Sequence, residues 1–325
     1  MELVDTFGRK IEYLRIGVTD RCNLRCRYCM PEEGIDFSKR SDLLSYEEII
    51  QLAPIFRSLG IEKVRITGGE PFVRKDINLL LTQLSRIFPF LHITTNATLL
   101  SKNIGLLKEI KIGGLNISLD TLDRNSFQMI TRRDNFTTVW ENTMMAINAG
   151  INTKINMVVM KGINDHEIID FIHMADKYGV EVRFIEAMPF NQFDGNKSLF
   201  LPASDILALI QNNFSDVSRI IADDNSSSIK YLIEGKTKIG IIPAYSRSLC
   251  GSCNRIRLTP KGELLTCLYA EKGIELLPLV RNNAITDEQL QEIIIKAVWK
   301  KKENGFVEEN DRTESVFQSM TTIGG

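Results

Sequence analysis

A strong net charge is missing from this sequence, which has 40 lysines and arginines against 41 aspartates and glutamates. This balance argues against a broad nucleic-acid surface, because phosphate backbones bind to clustered cations. Uninterrupted apolar runs of about 18 residues are also missing, so we expect no membrane span. The first ten residues contain Glu2 and Asp5 and no apolar core, so we expect no secretory signal.

Histidine is scarce, with three residues at 92, 166 and 173. His166 and His173 fall in one predicted helix, and we interpret them as surface or groove residues. The six cysteines instead form two groups within 325 residues. Clustered cysteines in a chain of this size are typical of metal ligands in a reducing compartment, so we expect a cytoplasmic protein.

The first cysteine group is Cys22, Cys26 and Cys29, in C-x-x-x-C-x-x-C spacing after a strand-like run. Three thiolates do not complete a tetrahedral zinc site, which takes four ligands. They can hold three irons of a cubane 4Fe–4S cluster and leave the fourth iron open to a substrate or cofactor. A zinc knuckle or a redox trio that lacks its fourth ligand is the alternative.

The second cysteine group is Cys250, Cys253 and Cys267, again three cysteines without a nearby histidine. C-x-x-C alone is a weak signal, since it also occurs in redox pairs and zinc ribbons. Because the two triplets account for every cysteine, we predict two open 4Fe–4S clusters. Zinc plus one cluster is the alternative.

Short apolar runs alternate with helical patterns along the first part of the chain. The predicted strands are Leu14–Val18, Lys63–Thr67, Leu91–Thr94, Leu115–Leu119, Lys154–Val159 and Val182–Ala187. Such alternation predicts a parallel sheet of βα units. Six units are too few for a full eight-stranded barrel, so we predict an α/β fold with an open, partial (β/α)6 barrel of the TIM type.

The pattern changes after Gly195, where one more helix is followed by the polar loop Asp223–Ser228 and then by hairpin-like strands. Thr286 and Gln289 fit a capping box before a late helix. We therefore predict a barrel domain over residues 1–222 and, over residues 223–325, an α+β extension that carries the second cluster.

Polar residues interrupt the predicted strands at alternating positions, namely Arg15, Arg65, Thr94, Asn116, Ser118 and Asn156. Alternate side chains share one face of a strand, so these residues are expected to face the barrel interior. One interpretation is internal salt bridges to Glu70, Asp120 and Glu186. The other is a polar cavity for an anionic ligand.

Two further patterns lie beside the predicted cluster sites. Gly68-Gly69-Glu70-Pro71 follows the second strand, and adjacent glycines allow backbone to approach a ligand closely. Arg255-Ile256-Arg257 follows the second cysteine group. In a strand both guanidinium groups would share a face, where they suit phosphates, although a solvated basic face has the same spacing.

The cysteine loop and the Gly-Gly-Glu-Pro turn together resemble the radical S-adenosylmethionine (SAM) superfamily. From Leu3 to Gly325 the chain resembles one of its families, the GTP 3′,8-cyclases of molybdenum cofactor biosynthesis. The matching runs are Val18–Pro31, Arg65–Pro71, Thr94–Asn96, Asn116–Asp120, Lys161–Asp165, Arg183–Met188, the second cysteine group with R-x-R, and the terminal Gly-Gly.

The resemblance implies residue roles. The first triplet would hold the cluster that cleaves SAM, and the second an auxiliary cluster that faces guanine. SAM contacts would come from Tyr28, Gly69, Ser118 and Met188. The GTP site would comprise Arg15, Arg65, Thr94, Lys161, Arg255, Ile256 and Arg257. Gly324 and Gly325 would reach into the active site. Ala97 departs from the glycine that usually follows T-T-N.

The implied reaction converts GTP to (8S)-3′,8-cyclo-7,8-dihydroguanosine 5′-triphosphate. A 5′-deoxyadenosyl radical would remove the ribose 3′ hydrogen, and C3′ would then attack C8 of guanine. The implied partners are a flavodoxin or ferredoxin as reductant, cyclic pyranopterin monophosphate synthase downstream and a second copy in a homodimer. The alternatives are a radical SAM peptide-modifying maturase, an iron–sulfur electron carrier and a zinc-binding module.

Overall fold

The computed structural model describes residues 2–188, 198–221, 226, 228–282, 285–312 and 319–323. Its strands are β1 (Tyr13–Gly17), β2 (Lys63–Thr67), β3 (Phe90–Thr95), β4 (Gly114–Ser118), β5 (Thr153–Val159), β6 (Glu181–Glu186), β7 (Val217–Ile220), β8 (Ile229–Ile233), β9 (Thr237–Ile242), β10 (Arg255–Leu258), β11 (Glu263–Leu265) and β12 (Ile274–Glu275).

The helices are α1 (Tyr46–Ser58), α2 (Ile77–Ile87), α3 (Ile104–Glu109), α4 (Arg124–Thr131), α5 (Phe136–Asn148), α6 (Ile168–Tyr178), α7 (Ala203–Asn213), α8 (Leu277–Arg281), α9 (Asp287–Trp299) and α10 (Gly305–Asn310). The predicted capping box at Thr286 before α9 is confirmed, and a second capping box lies at Ser45 before α1. Pro54 lies inside α1 without ending it. Of the described helices, none is long and apolar enough to cross a membrane.

All twelve strands join in one sheet of order β12-β11-β10-β1-β2-β3-β4-β5-β6-β9-β8-β7. Strands β1 to β6 are parallel neighbours, which confirms the six predicted strands within one residue at each end. β10 joins β1 in parallel and β9 joins β6 in parallel. The C-terminal segment therefore extends the barrel wall at both edges rather than lying beside it.

Side chains on the outer face of the parallel strands form the core. Leu14, Val64 and Ile93 are fully buried in one cluster with apolar residues of the helices, such as Phe56 of α1. The inner face carries the polar residues, as the alternation predicts. β7 and β8 pair across the predicted division between residues 222 and 223, and that division stays a prediction.

Candidate functional site

A cavity of about 840 Å³ lies on the inner face of the parallel strands. All six polar strand residues predicted to share a face line it: Arg15, Arg65, Thr94, Asn116, Ser118 and Asn156. Both cysteine triplets line it as well. The barrel therefore brings together two groups of three thiols that lie more than 200 residues apart in the chain.

The carboxylates considered as internal partners of these arginines bind other groups. Glu70 accepts hydrogen bonds from Phe72 N, Thr95 Oγ1 and Asn96 N. Asp120 accepts from the Tyr28 hydroxyl at 2.9 Å and from Val158 N, and Glu186 accepts from backbone N–H groups after β9. In the described residues the interior arginines are therefore not neutralised by these three acids.

The inner wall near β1 is strongly cationic. Burial, and then the charge of Arg257, lowers the pKa of Arg15 to about 9. Burial raises the pKa of Tyr13, but Arg65 and Arg15 outweigh it and bring the value down to about 7. Arg65 Nε donates to the Tyr13 hydroxyl at 2.5 Å. Repulsion between the guanidinium groups of Arg15, Arg65 and Arg257 inside this cavity favours an anionic ligand.

Three further cations line the cavity at the start of the strands: Lys63, Lys154 and Arg183. Sequence analysis did not assign them to the cavity: Lys63 and Lys154 stand two residues before Arg65 and Asn156, and Arg183 was noted only as the start of the Arg183–Met188 run. Glu181 pairs with Lys154 at 2.5 Å and with Arg183 at 2.7 Å. Burial lowers the pKa of Lys63 and of Lys154.

The structure places Lys161 outside the cavity, and its assignment to the substrate site stays a prediction. It lies exposed on the turn after β5 and does not line the cavity. Lys154 of β5 does line the cavity, because its side chain lies on the same face of the strand as those of Asn156 and Val158. The K-G-I-N-D run, Lys161–Asp165, therefore identifies the turn after β5. The lysine of this region that lines the cavity is Lys154.

The first cysteine triplet lies on the loop between β1 and α1, at the carboxyl end of the barrel. Cys22 Sγ accepts hydrogen bonds from Leu24 N at 3.4 Å and from Asn96 Nδ2 at 3.6 Å. Burial, with repulsion from Glu70, raises the pKa of Cys22 to about 11. Burial, with repulsion from Cys22, raises that of Cys29 to about 12.

These thiols fit a positively charged cofactor. Burial, Asp120 and both other cysteines raise the pKa of Cys26 well above its ordinary value, so the three groups repel one another when ionised. Iron ions remove that repulsion by binding the thiolates. N–H donors to Cys22 match the hydrogen bonds to sulfur that tune iron–sulfur clusters.

The Gly-Gly turn holds the cysteine loop in place. Gly69 N donates to Thr19 O at 2.7 Å and Glu70 N donates to Arg21 O at 2.9 Å. A Cβ on Gly68 would collide with Thr19 O, and one on Gly69 with Arg21 O. The glycines are therefore required for contact with the protein's own loop, which the sequence did not reveal.

Asn96 is a site residue that sequence analysis did not single out. Its backbone N–H donates to Glu70 at 2.6 Å, and its side-chain amide reaches Cys22 Sγ and Asn23. The T-T-N run thus links the ends of β2 and β3 to the first cysteine. Ala97 follows with φ of +62°, which explains why glycine suits this position.

The second cysteine triplet lies around the start of β10. Arg255 and Arg257 both line the cavity, while Ile256 is fully buried in the core, so the predicted alternation is confirmed. Burial raises the pKa of Cys253, but Lys301 and Arg255 outweigh it and bring the value to about 6. Arg255 is hydrogen-bonded to Cys253, so it serves this triplet as well as the cavity.

The four residues assigned to SAM meet on the cavity wall: Tyr28, Gly69, Ser118 and Met188. The Tyr269 hydroxyl lies 3.7 Å from Met188 Sδ. Ser319 Oγ donates to Cys29 O at 3.0 Å, and Met320 and Thr321 line the cavity. Gly324 and Gly325 lie outside the described residues.

In the part of the chain that the structure describes, no three His, Cys, Asp or Glu side chains converge on a position for one metal ion. A mononuclear zinc site would need such convergence. In a cubane, by contrast, each cysteine binds a different iron.

Family models match most of the chain. The radical SAM superfamily model matches residues 16–175, and the model Molybdenum Cofactor Synthesis C matches residues 180–307. GTP 3′,8-cyclase of Syntrophomonas wolfei is 40% identical, with 99% of this chain and 100% of the relative covered. The chain belongs to the GTP 3′,8-cyclase family. Membership implies SAM and an iron–sulfur cluster as cofactors.

Other relatives differ in length. GTP 3′,8-cyclase of Thermodesulfovibrio yellowstonii is 40% identical over 99% of both chains. Molybdenum cofactor biosynthesis protein 1 of Dictyostelium discoideum is 42% identical over 92% of this chain but over 49% of its own length. The chain thus spans about half the length of that relative.

Solved structures share the fold. SuiB of Streptococcus suis, bound to precursor peptide SuiA, matches 95% of this chain and 69% of its own with a TM-score of 0.63 and 16% identity. SuiB bound to S-adenosylmethionine gives a TM-score of 0.63 at 15% identity. At these identities the likeness shows the fold alone.

Proposed function

We propose that the protein converts GTP to (8S)-3′,8-cyclo-7,8-dihydroguanosine 5′-triphosphate, the first step of molybdenum cofactor biosynthesis. One observation carries the proposal: two cysteine triplets and a cationic wall line the same cavity. A radical SAM site needs one triplet. The second triplet and the cations suit a substrate that has both a coordinating base and a polyphosphate.

Cys22, Cys26 and Cys29 hold the SAM-binding cluster in this proposal. When bound, the cluster and SAM supply a carbon radical that can remove an unactivated hydrogen atom. The chain's own part is positioning. Glu70 and Asn96 hold the loop around Cys22, and Asp120 holds the Tyr28 hydroxyl, so these contacts position the loop for the cluster.

The SAM contacts proposed for Tyr28, Gly69, Ser118 and Met188 follow from their place on the cavity wall. Gly69 has no side chain, so only its backbone groups can contact a ligand. Ser118 ends β4 and Met188 follows β6, so both lie at the carboxyl edge where barrel enzymes bind ligands. Contacts of SAM with these residues would direct its methionine part to the first cysteine triplet.

The triphosphate is proposed to bind the inner-wall cations. Arg15, Arg65 and Arg257 lie on neighbouring strands β1, β2 and β10 at one level of the barrel, with Thr94 within 3.3 Å of Arg65. Lys63 lies two residues before Arg65 on β2, and Lys154 of β5 lies opposite Asn116 of β4. A guanidinium group can donate two parallel hydrogen bonds to phosphate oxygens, and a bound anion would offset the burial and the repulsion by Arg257 that lower the pKa of Arg15.

Cys250, Cys253 and Cys267 are proposed to hold a second 4Fe–4S cluster with an open iron toward the guanine. Arg255, beside Cys253, is proposed to contact both this cluster and GTP, and Ile256 to contribute backbone. The chain end is proposed to approach the ribose through Gly324 and Gly325. Its preceding residues Met320 and Thr321 already line the cavity.

A peptide-modifying maturase is the second candidate, since SuiB has this fold and was solved with a precursor peptide. The cavity cations favour a nucleotide over a peptide, because a triphosphate offers several anionic oxygens to guanidinium groups and a neutral peptide offers none. The proposed partners are a flavodoxin or ferredoxin as reductant and cyclic pyranopterin monophosphate synthase as the next enzyme. A homodimer, the cytoplasmic location and the division at residue 222 are likewise proposals.

The test is anaerobic incubation of reconstituted protein with SAM, a reductant and one nucleotide. GTP is expected to stimulate formation of 5′-deoxyadenosine, and ATP or no nucleotide is the control. A protein that cleaves SAM equally with and without GTP would contradict the proposal. Cleavage stimulated by a peptide, and not inhibited by GTP, would favour the maturase.

A further inference from the structure

Lys301, two residues after the end of α9, is buried beneath the second cysteine triplet. It is 3% exposed and does not line the cavity. Its ammonium group donates to Arg255 O at 3.2 Å and also to Thr266 O. These carbonyls belong to residues just after Cys253 and just before Cys267, so Lys301 joins the two segments that carry the triplet.

The buried charge of Lys301 has no carboxylate in contact with it. In the described residues, none of the ion pairs includes Lys301, and its side-chain partners are the two carbonyls. Glu308 is near enough to interact electrostatically with Lys301, but no hydrogen bond or ion pair joins the two side chains in the described residues. A buried ammonium group without a compensating anion is costly.

The anions closest along the chain to the carbonyls that hold this ammonium group are the thiolates. Thr266 directly precedes Cys267, and Arg255 stands two residues after Cys253. Arg255 approaches Cys253 as well, but Arg255 lies on the cavity side, where substrate can compete for it. Lys301 lies behind the triplet and interacts with it whether or not a nucleotide is bound.

We propose that Lys301 is a positioning residue for the second iron–sulfur cluster, where its ammonium group compensates the thiolates of Cys253 and Cys267 and favours the reduced cluster. The inference rests on the proposed second cluster. Three thiolates give a cubane negative charge, and reduction adds one electron. A fixed buried cation stabilises the more negative state, so its removal should make reduction harder.

The test uses the full-length chain with Cys22→Ala, Cys26→Ala and Cys29→Ala, so that the second cluster alone gives the signal. Lys301→Met, Lys301→Arg and the exposed control Lys300→Met are introduced into it, and electron paramagnetic resonance is recorded during redox titration. At a fixed potential, Lys301→Met should lower the ratio of reduced to oxidised cluster about tenfold, or about 59 mV. Lys301→Arg and Lys300→Met should stay near the parent.

Iron content separates this proposal from the one on which it rests. A parent without iron would overturn both. A parent with about four irons establishes the second cluster, and an unchanged potential in Lys301→Met would then overturn the role of Lys301 alone. Loss of iron in Lys301→Met but not in Lys301→Arg would support a role of the charge. Equal loss in both variants would show that packing explains the residue and would also overturn the proposal.

Discussion

Arg257 of β10 lies directly opposite Arg15 of β1 in the parallel register of the sheet. Both side chains line the cavity. Burial, and then the charge of Arg255, lowers the pKa of Arg257 to about 10, and Arg257 in turn lowers that of buried Arg15. The fold therefore holds two like charges on adjacent strands, an arrangement that a bound polyanion stabilises.

Arg257→Met is expected to weaken GTP binding and to leave both clusters in place. Loss of a charge-assisted hydrogen bond should cost about 1.5–3 kcal/mol, or roughly ten- to a hundredfold in affinity. Calorimetric titration measures the affinity and iron analysis the cluster content, with exposed Arg219→Met as the control.

Unchanged GTP affinity in Arg257→Met would show that this residue lies outside the nucleotide site. Arg255→Met is a less selective variant, since Arg255 is also hydrogen-bonded to Cys253. We expect it to weaken GTP binding and to alter the signal of the second cluster.

Gly69→Ala is expected to displace the first cysteine loop, because the added Cβ would collide with Arg21 O. Reconstituted protein should then lose about half of its iron and should not cleave SAM. Gly105→Ala is the matched control, since nothing lies within 4 Å of its added Cβ. Full iron content in Gly69→Ala would mean that the loop tolerates the displacement.

The metal-free protein is expected to lose stability as pH falls below about 6.5, in part through His92. Burial, followed by the charges of Arg65 and Lys63, lowers the pKa of His92 to about 3. The unfolded chain therefore binds this proton first, and each pH unit between 6.5 and 3 should cost up to about 1.4 kcal/mol. Urea unfolding at several pH values should show a flatter dependence for His92→Gln.

The exposed His173→Gln is the control for that series and should keep the slope of the wild type. If His92→Gln and the wild type lose stability in parallel between pH 6.5 and 5, then His92 does not contribute to the acid sensitivity.

Deletion of Gly324 and Gly325 is expected to spare iron content and SAM binding but to reduce the yield of cyclised nucleotide strongly. The physical reason is that glycine backbone can enter a crowded cavity where a side chain would clash. Product is quantified by chromatography for the intact and shortened chains under identical turnover. Equal yields from the two chains would show that the terminal glycines do not contribute to the reaction.

The sequence predicted the inner face of the barrel well. Period-two alternation at Arg15, Arg65 and Asn156 identified residues that do line one cavity, because side-chain direction in a strand follows from local geometry. The two cysteine triplets were found by spacing alone, and the structure brings both to that cavity.

Long-range pairing explains what the sequence did not predict. Nothing local in Arg255–Leu258 or Thr237–Ile242 indicates that these strands join opposite edges of the barrel. The close contact of Gly69 with a loop some fifty residues earlier was likewise not predicted, since it depends on long-range packing. The place of Lys154 on the cavity wall was not predicted either, because no motif singles out that position of β5.

Transfer of a specific hydrogen atom tests the central claim most directly. GTP deuterated at the ribose 3′ carbon is incubated anaerobically with the protein, SAM and a reductant, and the 5′-deoxyadenosine is analysed by mass spectrometry. The account predicts that one deuterium is transferred to 5′-deoxyadenosine and that cyclised nucleotide forms in parallel. Unlabelled 5′-deoxyadenosine formed alongside unchanged GTP would contradict it.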